Sequence, residues 1–240
     1  MEVHAPDHGI HSWRDFLVHM GTVCVGLLLA LGLEQSAVAV HEANQRADLR
    51  EGLDLDTRQD LADSLRSAKY ADDGIAWTVV RIGQVRAALA TNTALAARPP
   101  VPVDLFDIID DPAFKAAKAS GLLALLPQRD VLAYSEADGT VDLVEKSFEQ
   151  SQLSRQNLRA FEFEFRSASG ALDFSKATPG ELHRYLDLLV DSAMALNAFR
   201  FWNEQAWGLE TALLRGDRDL NDLHKAERTL NNPPASLKIH

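Results

Sequence analysis

The chain has 240 residues, of which 46% are hydrophobic, and its formal net charge is −11 at pH 7. Of its 35 acidic and 24 basic residues, four acidic and one basic precede residue 41, so residues 41–240 carry 31 acidic and 23 basic residues. This balance argues against nucleic acids and anionic membrane surfaces as partners, because both require a basic face. The single cysteine, Cys24, excludes an intrachain disulfide and a cysteine-based zinc site.

Residues 1–15 form a short polar tail with three histidines, His4, His8 and His11. Their spacings would place them on one face of a helix, where they could bind a metal. A proline and a glycine between them disfavour that helix, so we predict a flexible tail without a metal site.

The stretch from Phe16 to Leu33 contains no Asp, Glu, Lys or Arg. A helix of about 18 residues is about 27 Å long, close to the ~30 Å thickness of a bilayer hydrocarbon core. Only a helix satisfies its own backbone groups in lipid. We therefore predict one transmembrane helix over 16–33, with Trp13 at the lipid boundary.

Small residues follow one face of this span. Thr22, Gly26 and Ala30 are spaced four apart, and Gly21 lies beside them. Such a stripe lets two helices approach closely, which predicts a homodimer. Small residues are also common in spans that never pair, so an unpaired anchor remains the alternative.

Four features stand together near the N-terminus: the start M-E-V-H, the histidines after it, the entry from Trp13 to His19, and the exit from Gly26 to Glu34. In these features the chain resembles a group of uncharacterised bacterial single-span proteins, whose apolar N-terminal helix ends in a carboxylate and leads into a charged helix. The resemblance covers roughly the first fifty residues. It implies an anchor in the bacterial inner membrane and no known activity, so it assigns no catalytic residues. The chain departs from the group in having only Arg14, rather than several lysines, before the span.

Cleavage of the N-terminal segment is an alternative to anchoring, because Ala37-Val38-Ala39 fits a signal-peptidase site. An acidic leading segment and an apolar core longer than that of ordinary signal peptides favour the uncleaved anchor. The bases near the span, Arg14 before it and Arg46 and Arg50 after it, mildly oppose a cytoplasmic N-terminus. Long domains cross largely regardless of charge, so we predict a single-pass protein with its C-terminal domain in the periplasm.

We predict one long helix over residues 34–97, which forms both the stalk and the first helix of the bundle. Asp54-Leu-Asp-Thr57 briefly resembles the aspartate motif of phosphotransferring hydrolases, but it lacks one residue and the preceding strand, so we interpret it as a solvated helix face. The apolar stripe advances in three- and four-residue steps and comprises Leu61, Leu65, Ala68, Ile75, Val79, Ile82 and Leu89.

Residues 98–230 make up the remainder of the predicted bundle. Asp111-Pro112 predicts a capped helix from Ala113 to Leu126, whose Gly121–Leu126 part is apolar on every side and therefore expected in the core. A third long helix is predicted over 130–167.

The last predicted helices follow a strong start signal. Thr178-Pro-Gly-Glu181 is a capping box, which predicts a long helix to about Arg215. A shorter helix over 217–230 and a loose tail over 231–240 complete the chain.

Three aromatic residues are candidate contacts for a partner protein: Phe163, Trp202 and Trp207. Phe163 points away from the apolar face of its helix, and the two tryptophans lie beside the stripe of the last long helix. Aromatic residues are enriched at partner sites, although at helical spacing they more often belong to a core.

No motif for catalysis or cofactor binding is present: the chain lacks GxGxxG, a phosphate loop, GxSxG and HExxH, and Glu181-Leu-His183 is one residue short of E-x-x-H. We therefore expect no enzyme, no cofactor and no metal. The predicted fold is all-α, with an N-terminal transmembrane helix followed by an antiparallel helical bundle. The predicted function is a membrane-anchored helical scaffold that binds an unknown protein partner. The alternative is an extracytoplasmic domain that senses a small molecule bound between helices.

Overall fold

The computed structural model describes residues 13–102, 109–167 and 170–229. Within them the chain forms α1 (Trp13–Thr91), α2 (Pro112–Ser120), α3 (Gln128–Phe163), α4 (Pro179–Leu214) and α5 (Leu220–Thr229), with a 3-10 helix over Leu122–Leu125. The only β pairing in this part of the chain is a single bridge between Arg166 and Leu172. The all-α prediction is confirmed.

The chain divides into two compact units, residues 1–48 and 49–240. In the first unit the apolar side chains of α1 are exposed from Leu17 to Leu33, whereas Phe16, the first residue of the predicted span, is half-buried. The Thr22 hydroxyl donates a 2.9 Å hydrogen bond to the Val18 carbonyl oxygen, so this polar group is satisfied within the helix. By length and composition, α1 can cross a membrane, and it is the only such helix in the described residues.

The second unit is a bundle of three long helices, and side-chain contacts establish their directions. Ser64 of α1 contacts Glu210 of α4. Further along α1, Arg81 contacts Tyr185, so α4 runs antiparallel to α1. For α1 and α4 this confirms the predicted antiparallel packing.

The pair α1 and α3 is parallel, because the connection over 92–127 returns the chain to the starting end of the bundle. Asp54 of α1 contacts Tyr134 near the start of α3. Tyr70, further along α1, contacts Gln152, further along α3.

The core consists of three clusters along the bundle. The first cluster joins α1, α2, α3, α4 and α5 around Leu53, Phe114 and Leu209. The middle cluster surrounds Phe199. The last cluster is aromatic, and there Tyr185 stacks on its neighbours with ring centroids about 5–6 Å apart.

The buried face of α1 differs from the predicted apolar stripe. Leu61 is buried as expected, but Val79 is exposed and most other members of the stripe are only half-buried. The face that packs inward carries polar side chains at the same three- and four-residue steps: Thr57, Asp60, Ser64, Ser67, Thr78 and Arg81. A search for apolar periodicity passes over such a face.

Several predicted helix ends differ from the structure. The first bundle helix ends at Thr91 rather than at 97, because Asn92 adopts a left-handed conformation with φ of 52°. The predicted helix over 113–126 breaks at Gly121, whose φ is 77°, and the following 3-10 helix contains no buried residue. The expectation that this apolar segment is central to the core is therefore wrong, although Leu126 itself is buried.

The capping box at the start of α4 is confirmed. The Glu181 backbone N–H donates to Thr178 Oγ1 at 3.2 Å, and the Thr178 N–H donates to Glu181 Oε2 at 2.7 Å. The N-terminal tail up to residue 12, with its three histidines, and the C-terminal tail over 231–240 lie outside the described residues.

Candidate functional site

Several carboxyl groups lie inside the bundle rather than on its solvated surface. Many of these buried acids pair with a cation: Asp130 with Arg50 at 2.8 Å, and Glu162 with Arg98 at 2.8 Å. Asp60 and Glu210 have no ion pair with any described residue. The buried acids of the second unit are Asp60, Asp63, Asp111, Asp130, Asp138, Glu162 and Glu210.

Asp60 and Glu210 line one small cavity, which we call the acidic cavity. Four carboxyl groups line it, from Asp56 and Asp60 of α1, Asp111 before α2, and Glu210 of α4. Its volume is about 20 Å³, enough for about one water molecule. The remaining lining residues are Leu53, Thr57, Phe114, Tyr134, Ala137 and Val141.

The carboxyl groups of α1 hold the segment around α2. Asp56 accepts a 2.6 Å hydrogen bond from the Ala113 backbone N–H, so it caps the first turn of α2 from another helix. Asp60 accepts a hydrogen bond from the Asp110 backbone N–H. Asp111, the predicted cap, occupies the cap position but makes no capping hydrogen bond with its side chain.

The segment Asp54–Thr57 is therefore more than a solvated helix face. Besides the cap made by Asp56, Asp54 accepts a 2.9 Å hydrogen bond from the Tyr134 hydroxyl of α3, and Thr57 is buried. These carboxylates join α1 to two other elements.

Two carboxyl oxygens at the cavity have no hydrogen-bond partner among the described residues. Ser64 donates to Glu210 Oε2 at 3.2 Å, but Glu210 Oε1 has no partner. Asp111 Oδ1 accepts no hydrogen bond, and Lys115 Nζ lies 3.8 Å from it. A buried polar atom without a partner costs about 1–3 kcal/mol, so stability alone does not account for this arrangement.

The unpartnered polar groups continue along the inner face of α4. Neither polar side-chain atom of Asn203 has a partner among the described residues, and the same holds for Trp207 Nε1 and Thr211 Oγ1. Together with Glu210 they form a polar strip inside the protein. Such strips in native proteins call for a functional explanation.

Burial and mutual repulsion raise the pKa values of three of the cavity acids, Asp60, Asp111 and Glu210. Burial raises the pKa of Asp60 to about 8, and the neighbouring Asp111 and Asp56 add to the shift. Burial, together with the nearby Asp138, raises the pKa of Asp111 to about 6, against the opposing effect of Lys115. Burial first, and then the charge of Asp60, raises the pKa of Glu210 well above its ordinary value. At mildly acidic pH Asp60 and Glu210 are therefore neutral.

A second buried network, in contrast, is almost fully hydrogen-bonded. Arg81 Nε donates to the Tyr185 hydroxyl at 3.2 Å, and that hydroxyl donates to Glu162 Oε1 at 2.6 Å. Arg81 also donates to the Ala96 carbonyl oxygen at 2.7 Å, which holds the chain after α1 against the bundle. The geometry is that of a structural network.

The predicted contact residues occupy different environments. Phe163 is 71% exposed, and Trp202 is half-buried. Trp207 is only 3% exposed because it lies on the inner face of α4, so its interpretation as a surface contact is wrong. Phe201, next to Trp202 in α4, is 51% exposed.

The small-residue stripe of the first unit has open surroundings. A Cβ atom added at Gly21 or Gly26 would meet nothing within 4 Å. Thr22 and Ala30 are likewise exposed. The predicted homodimer through this stripe remains a prediction.

Two open features mark the outer surface of the bundle. A groove of about 320 Å³ runs between α3 and α4 and is lined by Gln150, Ser154 and Asn157 on one side and by Leu188, Asp191, Met194 and Ala195 on the other. Met194 is 67% exposed, and Ala198 and Phe201 follow it on the same face of α4.

The part of the chain that the structure describes contains no group of three or more His, Cys, Asp or Glu side chains arranged to hold a metal ion. The acidic cavity itself was not foreseen from the sequence. Its one local sign is the i, i+4 pair Asp56 and Asp60 between Leu53 and Leu61, which places two carboxylates beside apolar residues.

Comparison with known proteins does not add a relative to these observations. The chain matches no protein-family model, no curated protein and no solved structure. Its function is therefore inferred from its own residues and their geometry.

Proposed function

We propose that this protein is a single-pass scaffold of the bacterial inner membrane, with a periplasmic helical domain that binds another protein. The observation that carries the proposal is a set of large apolar side chains on the bundle that no described residue covers. Partner sites are enriched in such residues, and aromatic side chains dominate their energetics. The acidic composition of the domain favours a protein partner over a nucleic acid.

The contact surface centres on the outer strip of α4, defined as Met194, Ala198 and Phe201. These positions lie four and three residues apart, so they share one helical face. The Phe201 ring packs edge-on against the half-buried Trp202, with ring centroids 5.1 Å apart. An aromatic side chain held in this way loses little conformational freedom on binding, which suits it as an anchor.

Phe163 provides a second exposed aromatic group, at the end of α3. The guanidinium of Arg166 lies over its ring, 5.9 Å from the centroid. This arrangement resembles the paired aromatic and arginine groups that are common in binding hot spots.

Site-specific photo-crosslinking in cells tests this surface. A photoreactive amino acid is placed at position 201 or 163 of the full-length protein, and at Glu149 of α3 as an equally solvated control. We expect one discrete adduct from position 201 or 163 that is absent from position 149. Equal labelling at all three positions, or labelling at none, would contradict the proposal.

The membrane topology and the homodimer are tested in the same protein. A reporter that is active only in the cytoplasm, fused after His240, should be silent. Replacing Gly26 by Ile should abolish self-association in mild detergent, because the larger side chain keeps two spans apart. An active reporter overturns the orientation, and a dimer that survives Gly26→Ile overturns the small-residue seam.

A small-molecule sensor is the second candidate function, and the groove between α3 and α4 favours it. Its volume of about 320 Å³ lies at the lower end of the range for ligand pockets. Its lining mixes apolar side chains with the amides of Gln150 and Asn157. A metabolite that raises the unfolding temperature of the full-length protein, but not that of Asn157→Leu, would support this function. A panel without any such metabolite would count against it.

A further inference from the structure

We propose that the acidic cavity is a proton-operated lock. While its carboxyl groups carry protons, the α2 segment, residues 109–126, is held on the bundle, and when they lose their protons the segment is released. This inference concerns a different part of the bundle from the proposed contact surface and goes beyond the proposed function.

The α2 segment closes the cavity and is attached close to it. A Cβ atom at Gly52 of α1 would lie only 3.7 Å from Ala113 Cβ, so the two helices touch there. Asp56 caps the first turn at the Ala113 backbone N–H. Phe114 lines the cavity and is buried in the first core cluster. Solvent therefore reaches the cavity when this segment moves away.

The charges that face the cavity are overwhelmingly negative. Lys115 of α2, a cation beside the cavity, pairs with Asp110 at 2.7 Å and lies 3.8 Å from Asp111. Lys118 pairs with Asp138 of α3, and Arg218 donates to the Tyr134 hydroxyl. The titratable groups around the cavity are Asp54, Asp56 and Asp60 from α1, Asp110 and Asp111 before α2, Lys115 and Lys118 from α2, Tyr134 and Asp138 from α3, and Glu210 from α4.

In the closed form, Lys115 beside Asp111 and the Ser64 hydroxyl beside Glu210 offset only part of the negative charge that loss of protons around the cavity would create. Asp60 and Glu210 lack an ion pair among the described residues, and Glu210 Oε1 and Asp111 Oδ1 lack hydrogen-bond donors. Ionised carboxylates at these positions would repel one another in a space that holds about one water molecule. Moving the α2 segment hydrates them, so ionisation favours the open form.

The direction of the pH effect follows from proton release. In the open, hydrated form Asp60, Asp111 and Glu210 have ordinary pKa values near 4, and in the closed form they remain protonated at higher pH. Opening therefore releases protons at pH values between about 4 and the raised pKa values of the closed form. Each proton released raises the opening equilibrium about tenfold per pH unit.

Hydrogen exchange of the full-length protein in detergent micelles measures the opening. Amide exchange in residues 112–126 is followed at pH 6 and pH 8 and divided by the chemical exchange rate at each pH. We expect the corrected exchange to rise at least about tenfold at pH 8. The α4 segment over 182–196 should show no such rise.

Matched variants separate the lock from a general effect of charge. In Asp60→Asn/Glu210→Gln the rise should disappear, whereas Asp187→Asn/Asp191→Asn, which alters two exposed acids of α4, should retain it. If the double cavity variant does not fold, Glu210→Gln alone should reduce the rise. An unchanged rise in the cavity variants, or no rise in the natural protein, overturns the proposal.

A covalent clamp provides an independent test. The 3.7 Å separation at Gly52 and Ala113 matches the Cβ–Cβ distance of disulfides, so Gly52→Cys/Ala113→Cys in a Cys24→Ser background should bond α2 to α1. The oxidised protein should lose the rise in exchange, and the reduced protein should keep it. A rise of equal size in the oxidised protein would show that the α2 segment is not the moving part.

Discussion

Replacement of Tyr185 by Phe is the sharpest test of the buried network between α1, α3 and α4. The Tyr185 hydroxyl accepts from Arg81 Nε at 3.2 Å and donates to Glu162 Oε1 at 2.6 Å. The substitution removes one oxygen atom and leaves the aromatic packing intact. It therefore isolates the hydrogen bonds from the core around them.

The expected loss is large because both partners are charged and buried. A hydrogen bond to a charged group contributes about 1.5–3 kcal/mol, and a buried group left without its partner adds a desolvation penalty. Two such bonds disappear together here. We therefore expect Tyr185→Phe to lower the free energy of unfolding by about 3–5 kcal/mol.

Tyr134→Phe is a matched control. Its hydroxyl also lies between an arginine and a carboxylate, since it accepts from Arg218 at 3.2 Å and donates to Asp54 at 2.9 Å. Asp54 and Arg218 are half-buried, so water can replace the lost hydroxyl. We expect Tyr134→Phe to lower the free energy of unfolding by about 1 kcal/mol.

Denaturant unfolding of the full-length proteins in detergent micelles, followed by tryptophan fluorescence and far-UV circular dichroism, measures both losses. The slope of the unfolding free energy against denaturant should stay the same in the two variants. Equal losses in the two variants, or a loss below about 1 kcal/mol for Tyr185→Phe, would refute the reasoning from burial.

Three further predictions concern the cavity, the aromatic residues and one turn. Between pH 5 and pH 8 the free energy of unfolding should fall as pH rises, by about 1.4 kcal/mol per pH unit for each carboxyl group that stays protonated only in the folded state. Denaturant titrations across this range should show a smaller fall for Glu210→Gln, and an identical slope would contradict the assignment. Trp207→Ala should lower the free energy of unfolding by about 3–5 kcal/mol, whereas Phe201→Ser should change it by no more than about 0.5 kcal/mol. Thermal unfolding in which Phe201→Ser is the more destabilised variant would contradict both expectations. Gly121→Ala should lower the free energy of unfolding by about 1 kcal/mol, because the φ of 77° at this position is unfavourable for a residue with a Cβ atom. A more stable variant in chemical denaturation would count against the left-handed turn.

The fold class and several helix ends could be predicted from local sequence. The apolar stretch from Phe16 to Leu33 and the capping box at Thr178 act through residues that are neighbours in the chain. Their effects depend on backbone hydrogen bonding and on the absence of charge, which are local properties. Local rules therefore sufficed for these elements.

The environment of individual side chains could not be predicted in the same way. Trp207 and Phe201 lie six residues apart on one helix, yet one faces the core and the other faces outward. Which face of α4 packs inward depends on how α1 and α3 lie against it. Helical periodicity alone did not separate these two residues, because apolar and aromatic positions surround both.

The acidic cavity was decided by tertiary structure alone. In the sequence, Asp60, Asp111 and Glu210 are separated by long intervals, and each resembles an ordinary surface acid. They meet because the connection after α1 brings Asp111 back over α1, and because α4 runs antiparallel to α1 and places Glu210 beside Ser64. The pKa of a carboxyl group follows from its burial and its neighbours, and both are properties of the folded chain rather than of its order of residues.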